Sequence, residues 1–153
     1  MLAEPLLRQK LLAFLEEDLH FADVSSQIIP SDLVASGQII CKQGGIIAGV
    51  REALLVFSLV NVEAAALAKD GTVITNGDAI LTVSGLARNI LCAERTALNL
   101  LHRMSAIAST VRKAVELAQA SNPKVRIAAT RKTTPGFRAF EKQAVILGGG
   151  DPG

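Results

Sequence analysis

The sequence predicts an α+β fold whose last stretch opens an α/β unit. Three observations predict it. Apolar residues recur at helical spacing near the start and again over a long central stretch. Between them lie short apolar pieces punctuated by glycine and by Asp- and Asn-containing turns, the pattern of short strands with tight corners. The end of the chain then reads strand, polar loop, helix and glycine turn.

Leu6, Leu7, Leu11, Leu12, Phe14 and Leu15 predict an amphipathic helix over residues 3–18. Residues 23–37 hold turn formers and read as a loop. Gln38 to Lys42 reads as a strand. Gly44, Gly45 and Gly49 then break two short apolar pieces. Arg51 to Val60 reads as a helix with Ala53, Leu54, Phe57 and Val60 along one side. Residues 61–83 read as short strands separated by Lys69-Asp70-Gly71 and Asn76-Gly77-Asp78. Leu86 to about Ala120 is helical, long enough to expect one break, with Ser105 as the N-cap of a second piece. Asn122-Pro123 ends it. Val125, Ile127, Ala128 and Ala129 form a short strand leading into the polar loop Thr130 to Gly136. Phe137 to Leu147 is a helix, and Gly148-Gly149-Gly150 follows.

The chain has 153 residues, 50% hydrophobic and 20% charged, which is a globular composition with material for a real core. It holds five Phe and no Trp or Tyr, little for a base-stacking nucleic-acid binder. No apolar run reaches membrane-spanning length. The first residues carry charges throughout and do not read as a signal peptide, so a cytoplasmic protein is expected. Cys41 and Cys92 form no metal-binding pattern, and Cys92 reads as a buried free thiol.

The net charge of +2 is unevenly placed: from Arg112 to Lys142 there are eight basic residues against two acids, Glu116 and Glu141. This is either the footprint of an anionic partner or a solvated face. Thr130-Arg131-Lys132-Thr133 at a strand end is the first chemical candidate. Arg binds a carboxylate in bidentate fashion, Lys adds a point charge, and loop hydroxyls donate further bonds. The bland alternative is a basic turn. The second candidate is the helical stripe Arg88, Cys92, Arg95, Asn99 and His102. Glu94 falls toward the apolar side and is expected to be buried with a partner. The pair Glu94-Arg95 is either structural or holds an Arg for an anion. His102 and His20 read as satisfied residues, not ligands. No cluster of metal ligands is expected.

In order and spacing, several stretches resemble the nicotinate-nucleotide pyrophosphorylase (quinolinate phosphoribosyltransferase) family. They are Gly44 to Gly49, Glu94-Arg95-Thr96-Ala97-Leu98-Asn99, Ser105 to Ser109, Thr130-Arg131-Lys132-Thr133-Thr134-Pro135-Gly136, and Lys142 to Gly150. The resemblance implies an N-terminal α/β domain of hammerhead type over 1–108, with its linking helix. It implies the start of an incomplete, TIM-like α/β barrel over 109–153. It implies a reaction joining quinolinate to phosphoribosyl pyrophosphate, giving nicotinate mononucleotide, carbon dioxide and pyrophosphate in NAD biosynthesis, with magnesium. It implies that Thr130, Arg131 and Lys132 line the quinolinate site and that Arg95 reaches the site of a neighbouring subunit in a homodimer or higher oligomer. Glu94, Asn99 and Thr133 support them.

The sequence departs from that pattern in three places. Ser105 to Ser109 reads Ser-Ala-Ile-Ala-Ser where the family has Ser-Gly-Ile-Ala-Thr. Gly153 stands where the family has a His followed by Arg, both substrate-facing. The rest of the barrel is missing, with its downstream Lys and acids. A truncated chain, inactive by itself, is the expectation. A related molybdenum-transport-associated protein and a non-catalytic dimerising, anion-binding short paralogue are the alternatives.

Overall fold

The computed structural model describes residues 2–19 and 28–153. His20 and residues 23–27 of the expected loop lie outside them. The elements in order are α1 (Glu4–Leu19), β1 (Val34–Ile40), β2 (Gly45–Ile46), α2 (Val50–Leu59), β3 (Glu63–Ala66), β4 (Val73–Ile74), β5 (Ala79–Leu86), α3 (Ala87–Ser121) and α4 (Arg138–Leu147).

Helix α1 buries Leu7, Leu11 and Leu15, a single line at i, i+4 and i+8. Leu6 and Leu12, expected on the same face, are 54% and 47% exposed. Strands β1, β5 and β3 form an antiparallel sheet in the order β1-β5-β3, and β2 pairs with β4 as a separate antiparallel ribbon. β1 begins at Val34, opposite Leu86, and not at Gln38 as expected. Its residues 34–37 look like turn formers because Ser36 and Gly37 lie on an exposed strand, where pairing with Ser84 and Val83 overrides local preference. The turn at Asn76-Gly77-Asp78 is as expected: Gly77 has φ 96°, and the Asp78 carboxylate accepts the Thr75 N–H at 2.7 Å. In the turn at 69–71, the Asp70 carboxylate accepts the N–H groups of Val50 at 2.9 Å and Arg51 at 3.3 Å. An acid from a distant turn thereby caps α2.

The expected break in the central helix is absent. Helix α3 runs 35 residues without interruption, through residue 108. Ser105 is a mid-helix residue whose Oγ accepts the Ala48 N–H at 3.0 Å and donates to the Ala48 carbonyl at 3.2 Å. One turn on, the Ser109 Oγ accepts the Ile46 N–H at 2.8 Å. A serine hydroxyl caps a helix start or binds a neighbouring backbone equally well, and sequence alone does not separate the two. The approach is close: a Cβ on Gly45 would stand 2.4 Å from Ser109 Oγ. On another side of the same turns, a Cβ on Gly148 would stand 2.5 Å from the Ala108 carbonyl oxygen. Ala106 is exposed, so its methyl group is accommodated at the helix surface.

The core joins both ends of the chain: Leu7, Leu11, Phe57, Leu81, Met104 and Phe140 are all almost fully buried in one cluster. The expected strand at 125–129 is reduced to a single parallel bridge, Ala128 to Asp151. A parallel strand is stable between neighbours, and the described residues offer it only the segment around Asp151. Cys92 is half-buried, not buried; Cys41 is the buried thiol. Among the described residues, no helix is long and apolar enough to cross a membrane.

Ser105→Ala leaves a part-buried N–H and carbonyl without their partner. It is expected to lower the unfolding free energy by about 1–3 kcal/mol in urea denaturation, with an unchanged slope. An equally stable variant would show that the Ala48 backbone finds water instead.

Candidate functional site

Two clefts meet at Arg103. The larger, about 620 Å³, is lined by Phe14, Asp18, Arg95, Asn99, Arg103 and Phe137 among others. The smaller, about 200 Å³, is lined by Arg103, Thr130, Lys132, Thr133, Glu141 and Lys142 among others. Helix α3 supplies Arg95, Asn99 and Arg103 at successive steps of four, a stripe along the larger cleft whose last member also lines the smaller. Sequence reading continued that stripe through His102, which is exposed, and missed Arg103. The step of four from Asn99 was the signal available for it.

An aromatic cluster fixes the floor of the larger cleft. Phe14 on α1 lies 6.1 Å from Phe137 and 5.5 Å from Phe140, and the last two stack at 4.8 Å. This anchors the start of α4, and so the end of the polar loop, to α1.

The loop itself is built from short hydroxyl bonds. Thr130 Oγ1 accepts the Lys132 N–H at 3.2 Å, and the Thr133 N–H donates to the Arg131 carbonyl at 3.1 Å. Arg138 Nε donates to Thr133 Oγ1 at 3.0 Å. Thr130 and Lys132 face the smaller cleft together with Thr133, whereas Arg131 is exposed and lines neither cleft. Arg95 lines the larger cleft, where its guanidinium donates to Asp18 Oδ1 at 3.1 Å. Its side chain is 62% exposed, so this pair contributes little to stability and leaves the Arg free to exchange partners. Within one chain the structure therefore does not bring Arg95 and Lys132 into one cleft.

Glu94 is exposed, contrary to the expected buried pair. Position 94 falls just off the line of Ala93, Ala97, Leu100 and Leu101 that packs inward. Among the described residues the buried carboxylate is instead Glu52, in the first turn of α2. Burial raises its pKa above the ordinary 4.5, against a lowering hydrogen bond to its own backbone; Asp70 adds to the rise and Arg51 opposes it.

Arg103 donates to Glu141 Oε1 at 3.2 Å and to Thr134 Oγ1 at 3.4 Å, and the Thr134 hydroxyl donates to Glu141 Oε1 at 2.8 Å. The Thr134 N–H adds a longer bond to Glu141 Oε2 at 3.4 Å. One carboxylate thus joins α3, the polar loop and α4. Burial works to raise the Glu141 pKa, but the bonds from Thr134 and Arg103 outweigh it and hold the group below its ordinary 4.5.

The basic run between 112 and 142 is not one face. Arg112 donates to the Gly148 carbonyl at 3.1 Å, Arg126 pairs with Asp151, and Arg138 serves Thr133, while Lys132 and Lys142 line the smaller cleft. Gly153 has φ 78°, and a Cβ there would stand 2.2 Å from the Ala129 carbonyl oxygen. A histidine at this position needs a different backbone path. Among the described residues, no group of three or more His, Cys, Asp or Glu could hold a metal ion.

Because Glu141 is depressed, its contribution to stability is complete above the ordinary 4.5 and is lost as pH falls through the lowered value. Glu141→Gln should cost about 1–3 kcal/mol at neutral pH. The gap to the parent should close on acidification below 4.5, followed by urea denaturation across pH. A gap independent of pH would remove the charge from this account.

Comparison with known proteins places this geometry. Residues 23–105 match the model for the quinolinate phosphoribosyl transferase N-terminal domain, and residues 107–152 match that for the C-terminal domain. The chain is 49% identical over 113 residues to a probable carboxylating nicotinate-nucleotide pyrophosphorylase of Archaeoglobus fulgidus, covering 74% of this chain and 44% of that protein. It is 38% identical over 146 residues to a probable enzyme of the same name from Bacillus subtilis, covering 94% of this chain and 50% of that one. The solved NadC structure from Streptococcus pyogenes superposes with a TM-score of 0.89 at 35% identity, over 99% of this chain and 54% of that one. The nicotinate-nucleotide pyrophosphorylase structure from Francisella tularensis gives 0.89 at 29% identity, again over 99% and 54%. The chain spans about half the length of the curated relatives it matches. With both family domains matched in order and the fold shared along almost its whole length, the chain belongs to the quinolinate phosphoribosyl transferase family.

Proposed function

We propose that this chain carries the quinolinate-binding part of a phosphoribosyltransferase that joins quinolinate to phosphoribosyl pyrophosphate in NAD biosynthesis. One observation carries the reading. Thr130 and Lys132 of the polar loop line a cleft whose cations are Arg103, Lys132 and Lys142, with Glu141 as the one acid in its lining, already engaged by Arg103. A dicarboxylate of a small ring suits such a lining, since fixed cations lower the energy of a bound anion without reorganising. Lys132 and Arg131 hold the carboxylates, Arg131 turning in from its exposed position on the loop, and Thr130 lines the pocket.

Arg95 completes the site from a second copy of the chain, in a homodimer or higher oligomer. Its place in the other cleft of its own chain, and its weak surface pair with Asp18, favour this arrangement. Glu94 and Asn99 flank it on α3, and Thr133 braces the loop. Displacement of pyrophosphate builds positive charge at the ribose carbon, and quinolinate loses one carboxyl group as carbon dioxide to give nicotinate mononucleotide. Magnesium bound to phosphoribosyl pyrophosphate would supply charge neutralisation for the leaving pyrophosphate. The cytoplasm is the proposed location.

Isothermal titration of quinolinate into the chain, with and without phosphoribosyl pyrophosphate and magnesium, tests the reading. Arg131→Ala is expected to weaken quinolinate binding by about 2–3 kcal/mol, the loss of a charged hydrogen-bonding partner. Undiminished affinity in the variant would remove Arg131 from the site.

A further inference from the structure

We propose that Lys142 is a positioning residue of this site: its ammonium ties the Ala129 carbonyl to the Pro152 carbonyl and so fixes the Thr130–Lys132 loop. The identity of the ligand rests on the proposed function; the tie does not.

The segment that feeds the loop is weakly held by backbone alone. The Ala129 N–H donates to the Asp151 carbonyl at 2.9 Å, and the Asp151 N–H donates to the Ile127 carbonyl at 2.8 Å. These two bonds make the whole parallel bridge at Ala128. So short a ladder holds poorly by itself. Lys142, in the second turn of α4 and part-buried, reaches both of its strands at once. Nζ donates to the Ala129 carbonyl at 3.4 Å and to the Pro152 carbonyl. Ala129 is the residue immediately before Thr130, so its carbonyl marks where the loop departs.

The choice of partners has an electrostatic consequence. A charged donor bonds a carbonyl more strongly than a neutral one does. Carbonyls, unlike a carboxylate, leave the ammonium's net charge in place. Among the described residues Lys142 has no ion pair, and it lines the same cleft as Lys132 and Thr130. Its neighbour Glu141 is held by Arg103 and Thr134. The residue that braces the loop therefore also keeps the cavity positive for an anion.

Lys142→Met removes the charge and keeps the bulk; Lys142→Arg keeps the charge. Amide hydrogen exchange on the full chain reads the tie without any ligand. The Met variant should exchange the Ala129, Lys132 and Asp151 amides about tenfold faster or more, as loss of a charged hydrogen bond implies, with α3 amides near Ser105 unchanged. The Arg variant should recover most of the protection. Unchanged exchange at Ala129 and Asp151 would overturn the proposal, and so would a uniform increase that includes α3. Quinolinate titration is the second arm. If the parent chain binds, the Met variant should bind about tenfold more weakly or worse, and equal binding would overturn the positioning role. A parent chain that fails to bind would count against the proposed function, and the exchange arm would still decide whether Lys142 holds the loop.

Discussion

The structure hangs on a short stretch of α3. Around Ser105 and Ser109 the helix gives up two hydroxyls to the backbone of Ile46 and Ala48. In the same turns its Ala108 carbonyl and Val111 side chain sit against Gly148. Small residues at 105, 108 and 109, with glycines facing them at 45 and 148, let two other segments approach until no side chain fits between. The N-terminal sheet region and the segment after α4 are thus referenced to the same few atoms. Arg103 sits on α3 itself, and Lys142 lies on the helix that leads into Gly148.

Charge in the site follows from which cations are spent. Arg112, Arg126 and Arg138 use their donors on the protein's own carbonyl, carboxylate and hydroxyl groups. Glu141 is similarly spent, because Arg103 and Thr134 saturate it. What remains facing the smaller cleft is positive charge without a matching acid. A raw count of basic residues along the chain overstates the patch and misplaces it, since the count is blind to these internal partners.

Local patterns were legible and long-range pairings were not. Helix α1, the turns at 69–71 and 76–78, and the polar loop at 130–136 each follow from neighbours in sequence, so spacing and turn chemistry found them. The start of β1 at Val34 depends on Leu86, and the hydroxyl of Ser105 depends on Ala48. Neither partner is visible from the local sequence. Glu94 was misplaced by one step around the helix, enough to turn a supposed buried acid into an exposed one. Thr130 and Lys132, which line the smaller cleft, were singled out because hydroxyl and cation types are unusual together at a strand end. Arg103 and Lys142 were not, because each looks like an ordinary solvated helix residue until its neighbours are known.

At 1.5 Å per residue, α3 is about 52 Å long, and it passes unbroken from the N-terminal sheet to the segment beneath the basic loop. A jointed connection would let each end melt by itself. A single helix whose middle is clamped on two sides gives neither end that freedom, since fraying from one side soon reaches contacts that belong to the other. The two halves of the chain therefore share one melting event, and heat absorbed on unfolding should appear as a single calorimetric peak.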